Sequence, residues 1–404
     1  MTSLTQSIEE KCGIWSYHNN FFQHFPFQLN KHIPENFIVN EILNNKTIME
    51  PLANFGREEK GLFIHCVLKK KLIDTPGAIK ILSKELHVPN DWIGYAGLKD
   101  AQGITFQRIS IFNTQIENLQ KLFFTNFSLF NFTRKKYEVN LGDLWGNRFT
   151  ITLNPRSLNI DESIFINEIK ERIQELDKFS FPNYFGLQRF GTNRPVSHQI
   201  GKYLLRKDFE SAVKTYLTYT SAFENEKLSL LRNTLSIDWD YKRFRENIPK
   251  NYNYEIIMAR SLEKYPNNYF RAFNEIPLRM KKFFISSYQS YIFNELLSKY
   301  LSNFQMDEKI ITELPLISQN ADFSTFPDYL QNYLMYLLKK DEIDLKNFKD
   351  LNIYFKSSKK QLRKTFISLT DYNYQINNNN LILSFSLPKS SYATMIIREI
   401  TREN

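Results

Sequence analysis

The sequence predicts an α+β protein with two domains, in which a helix-rich block interrupts a sheet-containing domain. The chain of 404 residues is longer than a usual single domain. Apolar residues alternate, as is typical of strands, before residue 195 and again after residue 371, whereas the segment between them has mostly helical periodicity. We therefore predict a first domain made of residues 1–194 and 372–404, with residues 195–371 inserted as a separate helical domain.

The first part of the chain combines strands and helices in an order typical of an α+β layer. Thr75 followed by Pro76 predicts a helix start, with Thr75 as the N-cap and the proline at the first helical position. The clearest strand places Phe149, Ile151 and Leu153 on one face. In chain order, we predict strands at 36–42, 61–69, 92–96, 104–111, 133–137 and 147–153, and helices at 75–87, 115–124 and 161–176.

The middle block and the C-terminal part complete this arrangement. After a turn at 377–380, Leu381, Leu383, Phe385 and Leu387 alternate and predict a further strand. Strand segments on both sides of the helical block indicate that the block is an insertion. Its predicted helices lie at 196–205, 208–217, 254–262, 280–301 and 327–339, and a last helix at 391–400 closes the chain.

Composition limits the classes of function. The 53 Lys and Arg residues against 43 Asp and Glu residues give a formal net charge of +10, which favours a polyanionic partner without identifying it. Two cysteines are too few for a disulfide framework or a cysteine zinc site. The absence of a G-x-G-x-x-G sequence, a Walker A loop and a deaminase signature argues against nucleotide-cofactor binding and zinc deamination. We expect no cofactor.

The stretch 94–107, GYAGLKDAQGITFQ, is the strongest candidate for a functional site. It places Lys99 and Asp100 side by side on a tight connection between two predicted strands. The flanking residues include two alanines and two glycines, so a planar group can approach the backbone closely. An ordinary solvated turn is the alternative interpretation of these residues alone.

Several segments together resemble the TruD family of tRNA pseudouridine synthases. The stretch 94–107 is similar to the signature A-G-x-K-D-K-x-A-x-T-x-Q, in which the aspartate is catalytic, although Ala101 and Gly103 depart from it. Residues 181–191, FPNYFGLQRFG, match the element P-N-Y-F-G-x-Q-R-F-G at each fixed position. Further similar segments follow the family's order, at 37–41, 146–149, 288–294 and 385–399.

This resemblance implies a fold and a reaction. The fold is a pseudouridine synthase-like antiparallel sheet core with helices, and the inserted TRUD-type domain forms the opposite wall of an RNA cleft. The reaction is the isomerisation of uridine to pseudouridine in tRNA, with uridine 13 of the dihydrouridine arm as the expected target. The N1–C1′ bond of the nucleotide is broken, the uracil rotates, and C5 joins C1′. Asp100 is the implied nucleophile, and attack on the base and attack on the ribose both stay open.

The resemblance also implies polar residues around the target base. Lys31 stands where the family has a lysine, and we expect it to keep Asp100 ionised; a solvated surface lysine is the alternative. Asn147 is suited to accept from uracil N3–H and to donate to a uracil carbonyl, with a simple turn role as the alternative. Arg189 is an implied phosphate contact, as are Arg194, Lys202 and the cluster 133–136, each of which is alternatively a solvated charge.

Three aromatic residues fall where the family lines its pocket. Phe37, Phe149 and Tyr392 are expected to hold the everted base by stacking and edge contacts. Core packing alone is the alternative for Phe149, because its strand face continues into Ile151 and Leu153.

Two other functions stay open at this point. One is a non-catalytic RNA-binding or chaperone protein with the same fold. The other is a glycosidase-like hydrolase, which usually needs a second carboxylic acid. For either, and for the synthase, we expect a monomer in the cytoplasm that does not associate with membranes, because the sequence has no N-terminal apolar segment and no apolar run long enough to span a bilayer.

Overall fold

The structure is a computed structural model, and it describes residues 7–18, 25–30, 32–156, 170–304, 310–350, 361–377 and 379–402. The chain forms two compact units. The helical unit contains Met1–His18 and Pro182–Phe366, and the sheet unit contains Asn19–Phe181 and Ile367–Asn404. These boundaries differ from the predicted ones, which lie after residues 194 and 371 and leave the first 18 residues in the sheet-containing domain.

The described residues contain thirteen strands, numbered in chain order. These are β1 (Phe27–Gln28), β2 (Phe37–Ile42), β3 (Phe63–Lys71), β4 (Ile93–Tyr95), β5 (Ile104–Phe112), β6 (Phe127–Lys135), β7 (Gly146–Pro155), β8 (Ser180–Pro182), β9 (Glu313–Pro315), β10 (Leu362–Lys364), β11 (Phe366–Ser368), β12 (Thr370–Asn377) and β13 (Asn380–Pro388). Every strand predicted from apolar alternation is present.

Nine of these strands form one sheet in the sheet unit. Its order is β12-β13-β7-β2-β5-β3-β6, with β1 beside β7 and β4 beside β5. The pairing of β2 with β5 is parallel, through Ile38 opposite Ile104, and the other pairings in this sheet are antiparallel. The core sheet is therefore antiparallel, as predicted, except for this one parallel pair. The strand β12 is not evident from apolar alternation, because its side chains are largely exposed and polar.

Two apolar clusters cover one face of this sheet. The first packs the helix Ala393–Thr401 on β7 and β13, and the second packs the helix Thr75–Leu86 on β3 and β5. The strand registers place both on the same face, because Phe149 lies opposite Val39, Val39 opposite Thr105, and Thr105 opposite Lys70. A strip of polar residues separates the two clusters.

The predicted start of the helix Thr75–Leu86 needs one correction. Its N-cap is Asp74, whose carboxylate accepts from the N–H of Gly77 at 2.8 Å, so Thr75 is already helical. The sheet unit also contains the short helix Ile116–Gln120. Of the helix predicted at 161–176, residues 161–169 lie outside the described residues, and 170–173 are helical.

The helical unit is built on one long helix, Leu278–Ser302, which is buried over most of its length. Gly201 permits the closest contact with it, because a Cβ at that position would lie 2.1 Å from the carbonyl oxygen of Phe284. Four of the helices in this unit were not predicted, since apolar periodicity is weak in them. The described helices of this unit are Ser197–Leu205, Phe209–Thr218, Glu226–Asp238, Tyr241–Asn247, Asn253–Lys264, Tyr269–Asn274, Leu278–Ser302, Asp328–Lys340 and Asn347–Asp350.

The segment that begins with Pro182 and Asn183 is anchored inside this helical unit. Asn294 accepts from the N–H of Phe185 at 2.8 Å and donates back to the carbonyl of Phe185 at 3.0 Å. Arg363 donates to the backbone carbonyl of Asn183 at 3.0 Å and to its side-chain oxygen at 2.8 Å. Buried polar side chains from two other segments of this unit therefore fix the backbone of this segment.

Candidate active site

The loop that joins β4 to β5 carries Asp100, whose side chain is exposed, whereas that of Lys99 is buried. The loop is a hairpin connection, because β4 and β5 pair antiparallel with Tyr95 opposite Ile109. At its end, Gly103 has a φ of +152° and a Cβ there would lie 2.6 Å from the carbonyl oxygen of Phe37. The glycine that departs from the family signature therefore lets the loop contact β2 closely.

A buried lysine lies beneath this loop. Lys70, on β3, is 1% exposed, and its Nζ donates to the carbonyl oxygens of Ile73 at 2.9 Å, Lys99 at 3.1 Å and Asp100 at 2.6 Å. Burial lowers the pKa of the Lys70 ammonium to about 8; the carboxylates of Asp100 and Asp74 partly offset this effect, and Lys99 adds slightly to it. Lys70 is therefore still mostly charged at neutral pH, and it holds the backbone of Asp100.

Two uncharged side chains hold the same loop from below. The hydroxyl of Thr75 accepts from the N–H of Lys99 at 3.1 Å and donates to the side-chain oxygen of Gln107 at 2.9 Å. The amide of Gln107 donates to the carbonyl of Gly97 at 3.3 Å. The hydroxyl of Thr75 is thus already hydrogen-bonded to Lys99 and Gln107, and Asp74 supplies the N-cap of the helix instead.

A buried ion pair connects the loop to β2. The ammonium of Lys99 lies 3.0 Å from Glu41 Oε2, and the two side chains are 5% and 0% exposed. The other oxygen of Glu41 accepts from the N–H of Arg108 at 3.2 Å. Glu41 also lies opposite Asn147 in the β2–β7 register, so the ion pair joins the Asp100 loop to the strand beside Asn147.

We expect the Lys99→Met variant to lower the free energy of unfolding by about 3–5 kcal/mol, because it leaves the Glu41 carboxylate buried without its partner. Chemical denaturation of the two proteins measures this difference. The double variant Lys99→Met with Glu41→Gln is the control, and we expect it to regain much of the loss since neither charge of the pair remains. A single variant as stable as the wild type would contradict this account of the pair.

Asn147 presents an unsatisfied hydrogen-bond acceptor. It lies on β7 beside Glu41, on the face that carries the two apolar clusters. Its Oδ1 atom is buried and has no hydrogen-bond partner among the described residues. A buried amide oxygen left without a donor costs about 1–3 kcal/mol, so this oxygen is suited to accept from a bound ligand.

The three aromatic candidates have different surroundings. The rings of Phe37 and Phe149 are 7% exposed, with centroids 6.0 Å apart, and Phe149 also contacts Phe385 at 5.8 Å. Both belong to the core cluster, so their contacts in the structure are those of core packing. Tyr392 is half-buried and immediately precedes the helix Ala393–Thr401, beyond the end of β13 at which Leu387 lies opposite Asn147.

Comparison with known proteins decides the family. A family model described as tRNA pseudouridine synthase D (TruD) matches residues 29–325 and 308–400. The chain belongs to the TruD family. It is 30% identical to the probable tRNA pseudouridine synthase D 1 of Methanocaldococcus jannaschii, over 91% of this chain and 94% of that protein. It is 29% identical to the probable tRNA pseudouridine synthase D of Methanopyrus kandleri, over 85% of this chain and 86% of that protein.

A solved structure supports the same assignment and the predicted fold class. The crystal structure of the putative tRNA pseudouridine synthase D (TruD) from Methanosarcina mazei superimposes with a TM-score of 0.70 at 27% identity, covering 98% of both chains. The prediction of an α+β pseudouridine synthase fold of the TruD type is therefore confirmed.

The predicted TruD-type site residues fall into three groups. Asp100, Phe37, Asn147, Phe149 and Tyr392 all lie in the sheet unit. Lys31 lies outside the described residues, so its pairing with Asp100 stays a prediction.

Arg189 belongs to the third group, because it lies in the helical unit. There it donates to the hydroxyl of Ser290 at 3.1 Å and stacks near Phe185 and Phe283. Two other suggested phosphate contacts form ion pairs inside the same unit, since Arg194 pairs with Glu255 at 3.1 Å and Lys202 with Asp341 at 3.3 Å.

Two site residues were missed from the sequence of this TruD-family chain. Lys70 follows Ile64, Cys66 and Leu68 on the buried face of β3. A lysine at the next position of an otherwise apolar strand face was the feature of the sequence that could have indicated its role. Glu41 was noted only as part of a family pattern, and its partner Lys99 is distant in sequence.

The described residues contain no cluster of three or more His, Cys, Asp and Glu side chains arranged to hold a metal ion. Within the same part of the chain, no helix combines the length and apolar character needed to span a bilayer.

Proposed function

We propose that this protein isomerises uridine to pseudouridine in tRNA, with Asp100 as the nucleophile and uridine 13 as the target. The buried Oδ1 atom of Asn147 carries this proposal. It has no hydrogen-bond partner among the described residues, so a donor on a flat heterocycle would satisfy it. An amide at this position accepts from uracil N3–H and donates to a neighbouring carbonyl, so one side chain reads two groups of the base.

The position of Asp100 supports its role in this proposal. The Asp100 loop contacts Phe37 through Gly103, and Lys99 joins it to Glu41, the cross-strand neighbour of Asn147. Asp100 and Asn147 therefore lie on elements of one unit that buried contacts join. A nucleophile on a loop whose backbone is held in this way loses less entropy when the substrate arrives.

The proposed reaction is an internal rearrangement that needs no external reagent. Asp100 attacks either C6 of the uracil or C1′ of the ribose, and the N1–C1′ bond breaks. The uracil turns so that C5 faces C1′, the C5–C1′ bond forms, the hydrogen on C5 leaves as a proton, and N1 gains a proton. The ester to Asp100 is broken in the process, so the carboxylate is regenerated for the next turnover.

The target base must first leave the RNA stack, at a cost of about a few kcal/mol. We propose that Tyr392, the half-buried aromatic next to the end of β13, stacks on the everted base and recovers part of this cost. Phe37 and Phe149 would complete the apolar wall behind it, while Lys31 and Arg189 would contact the charged parts of the substrate. The net charge of +10 favours the tRNA backbone over neutral ligands.

The direct test is to incubate the purified protein with unmodified tRNA transcripts and to map pseudouridine by nucleotide position. Pseudouridine at position 13, absent from transcripts in which that uridine is replaced by cytidine, is the expected result. Release of free uracil would favour the hydrolase, and tight binding without product would favour the RNA chaperone. Product at other positions only would retain the reaction and overturn the target.

Replacing Tyr392 by alanine should weaken capture of the base by about 1–3 kcal/mol, the usual contribution of one base–aromatic stack. The expected result is a higher KM for tRNA, with a smaller effect on the single-turnover rate at saturation. Tyr392→Phe keeps the ring and serves as the control, which should remain close to the wild type. Equal losses in both variants would indicate that the hydroxyl, rather than the ring, matters.

A further inference from the structure

We propose that Lys70 is a positioning residue for the reaction, whose buried ammonium fixes the backbone of Asp100 and thereby the place of its carboxylate. This inference rests on the proposed function, and assigns a part in it to a residue outside the segments that resemble the TruD elements. Lys70 lies on β3, which is separated from the Asp100 loop in sequence by a helix and a strand.

The contacts of Lys70 are unusual for a buried lysine. Its Nζ lies within 3.1 Å of three carbonyl oxygens, those of Ile73, Lys99 and Asp100. An ammonium group has three N–H donors, so each of them can be matched with one of these acceptors. The shortest contact, 2.6 Å, is to the carbonyl of Asp100 itself. Lys70 therefore joins the start of the helix Thr75–Leu86 to the backbone on both sides of the Lys99–Asp100 peptide.

The surroundings of Lys70 on its strand are largely apolar, so the burial of its charge is costly. The neighbours of Lys70 on the same strand face are Leu68 and Cys66, both in the apolar cluster, and Lys70 lies opposite Thr105 and Phe127 in the adjacent strands. Taking an ammonium out of water at such a place is expensive. Two of the three acceptors of this ammonium belong to the loop that carries Asp100, which is why we assign Lys70 a role in the reaction.

The charge of Lys70 also acts on the nucleophile. The charged groups that face it are Asp74 at the helix N-cap, and Lys99 and Asp100 in the loop. Attraction between Lys70 and Asp100 is mutual, so the charged lysine favours the ionised carboxylate that a nucleophile requires. When Lys70 loses its proton, the loop loses one hydrogen-bond donor and this attraction together.

The sign of the resulting pH dependence follows from the pKa of Lys70, about 8 in the folded protein. Below this pH the lysine is charged and all three contacts can form. As the pH rises through about 8, the charged fraction falls, so the single-turnover rate should fall as well.

The test compares Lys70→Met with Lys69→Met, the neighbouring lysine on the same strand, which points to the opposite face of the sheet. Methionine matches the length of lysine but has neither charge nor donor. We expect Lys70→Met to reduce the single-turnover rate about 100-fold, the effect of a displacement near 1 Å in a catalytic group, with the Kd for tRNA changed less than a few-fold. We expect Lys69→Met to keep the wild-type rate.

The pH profile separates positioning from a purely structural role. Between pH 6.5 and 9.5 the wild-type rate should fall with a midpoint near 8, and the residual rate of Lys70→Met should lack this fall. A Lys70→Met rate within about three-fold of the wild type, or an equal loss in Lys69→Met, would overturn the inference. If Lys70→Met does not fold, the wild-type profile decides, and a rate that stays flat up to pH 9.5 would overturn it. A wild-type protein that makes no pseudouridine in any tRNA would instead refute the proposed function.

Discussion

Replacement of Asp100 by asparagine is expected to abolish pseudouridine formation, with a loss of at least about 10⁴-fold in the single-turnover rate. The amide has nearly the shape of the carboxylate but cannot act as an anionic nucleophile. The loop itself should keep its conformation, because the side chains that anchor it, Lys70, Thr75 and Gln107, all act on backbone groups. We therefore expect the Kd for tRNA to change by only a few-fold.

The measurement is single-turnover formation of pseudouridine with enzyme in excess, alongside equilibrium binding of the same tRNA. The matched control is Asp91→Asn, an exposed aspartate just before β4, and this variant should react at the wild-type rate. An Asp100→Asn protein with normal turnover would remove Asp100 from the reaction. Loss of binding and turnover together would indicate that the carboxylate contributes to the substrate contact instead.

Apolar periodicity and turn chemistry were sufficient to predict the secondary structure that frames this site. The strand of Phe149, Ile151 and Leu153 was evident because each alternate residue is apolar and buried. The helix after Pro76 was evident for a similar local reason, although Asp74, and not Thr75, caps it. The parallel pairing of β2 with β5 could not be predicted in this way, since alternation indicates which face a residue is on and not which strand lies beside it.

The residues that hold the Asp100 loop were harder to predict from the sequence than the loop itself. Lys70, Thr75 and Gln107 converge on it from two strands and a helix start, and each looks ordinary in its own segment. Only the three-dimensional register shows that Thr75 is shared between Lys99 and Gln107. Sequence resemblance predicted a role for Asp100 because the family signature is local, and it passed over Lys70 because the acceptors of that lysine are mostly distant in sequence.

The Asn147→Ala variant should separate activity from stability. The rate of pseudouridine formation should fall about 10²–10³-fold, the usual effect of removing one well-placed polar group from a reacting site. The free energy of unfolding should stay the same or rise slightly, because the substitution removes a buried oxygen that has no partner among the described residues. Rates come from single-turnover assays, and stability comes from chemical denaturation.

Asn154, on the same strand, is the matched control, because its amide is satisfied. It donates to Asn380 at 3.0 Å and accepts from Asn36 at 2.7 Å. Asn154→Ala should therefore lower the free energy of unfolding by about 1–3 kcal/mol, while the reaction keeps its rate. Both variants replace an asparagine by alanine, so opposite effects on rate and stability would reflect the different contacts of the two amides. If Asn147→Ala lost stability as Asn154→Ala does and kept its rate, Asn147 would be a structural amide and the uracil would be read elsewhere.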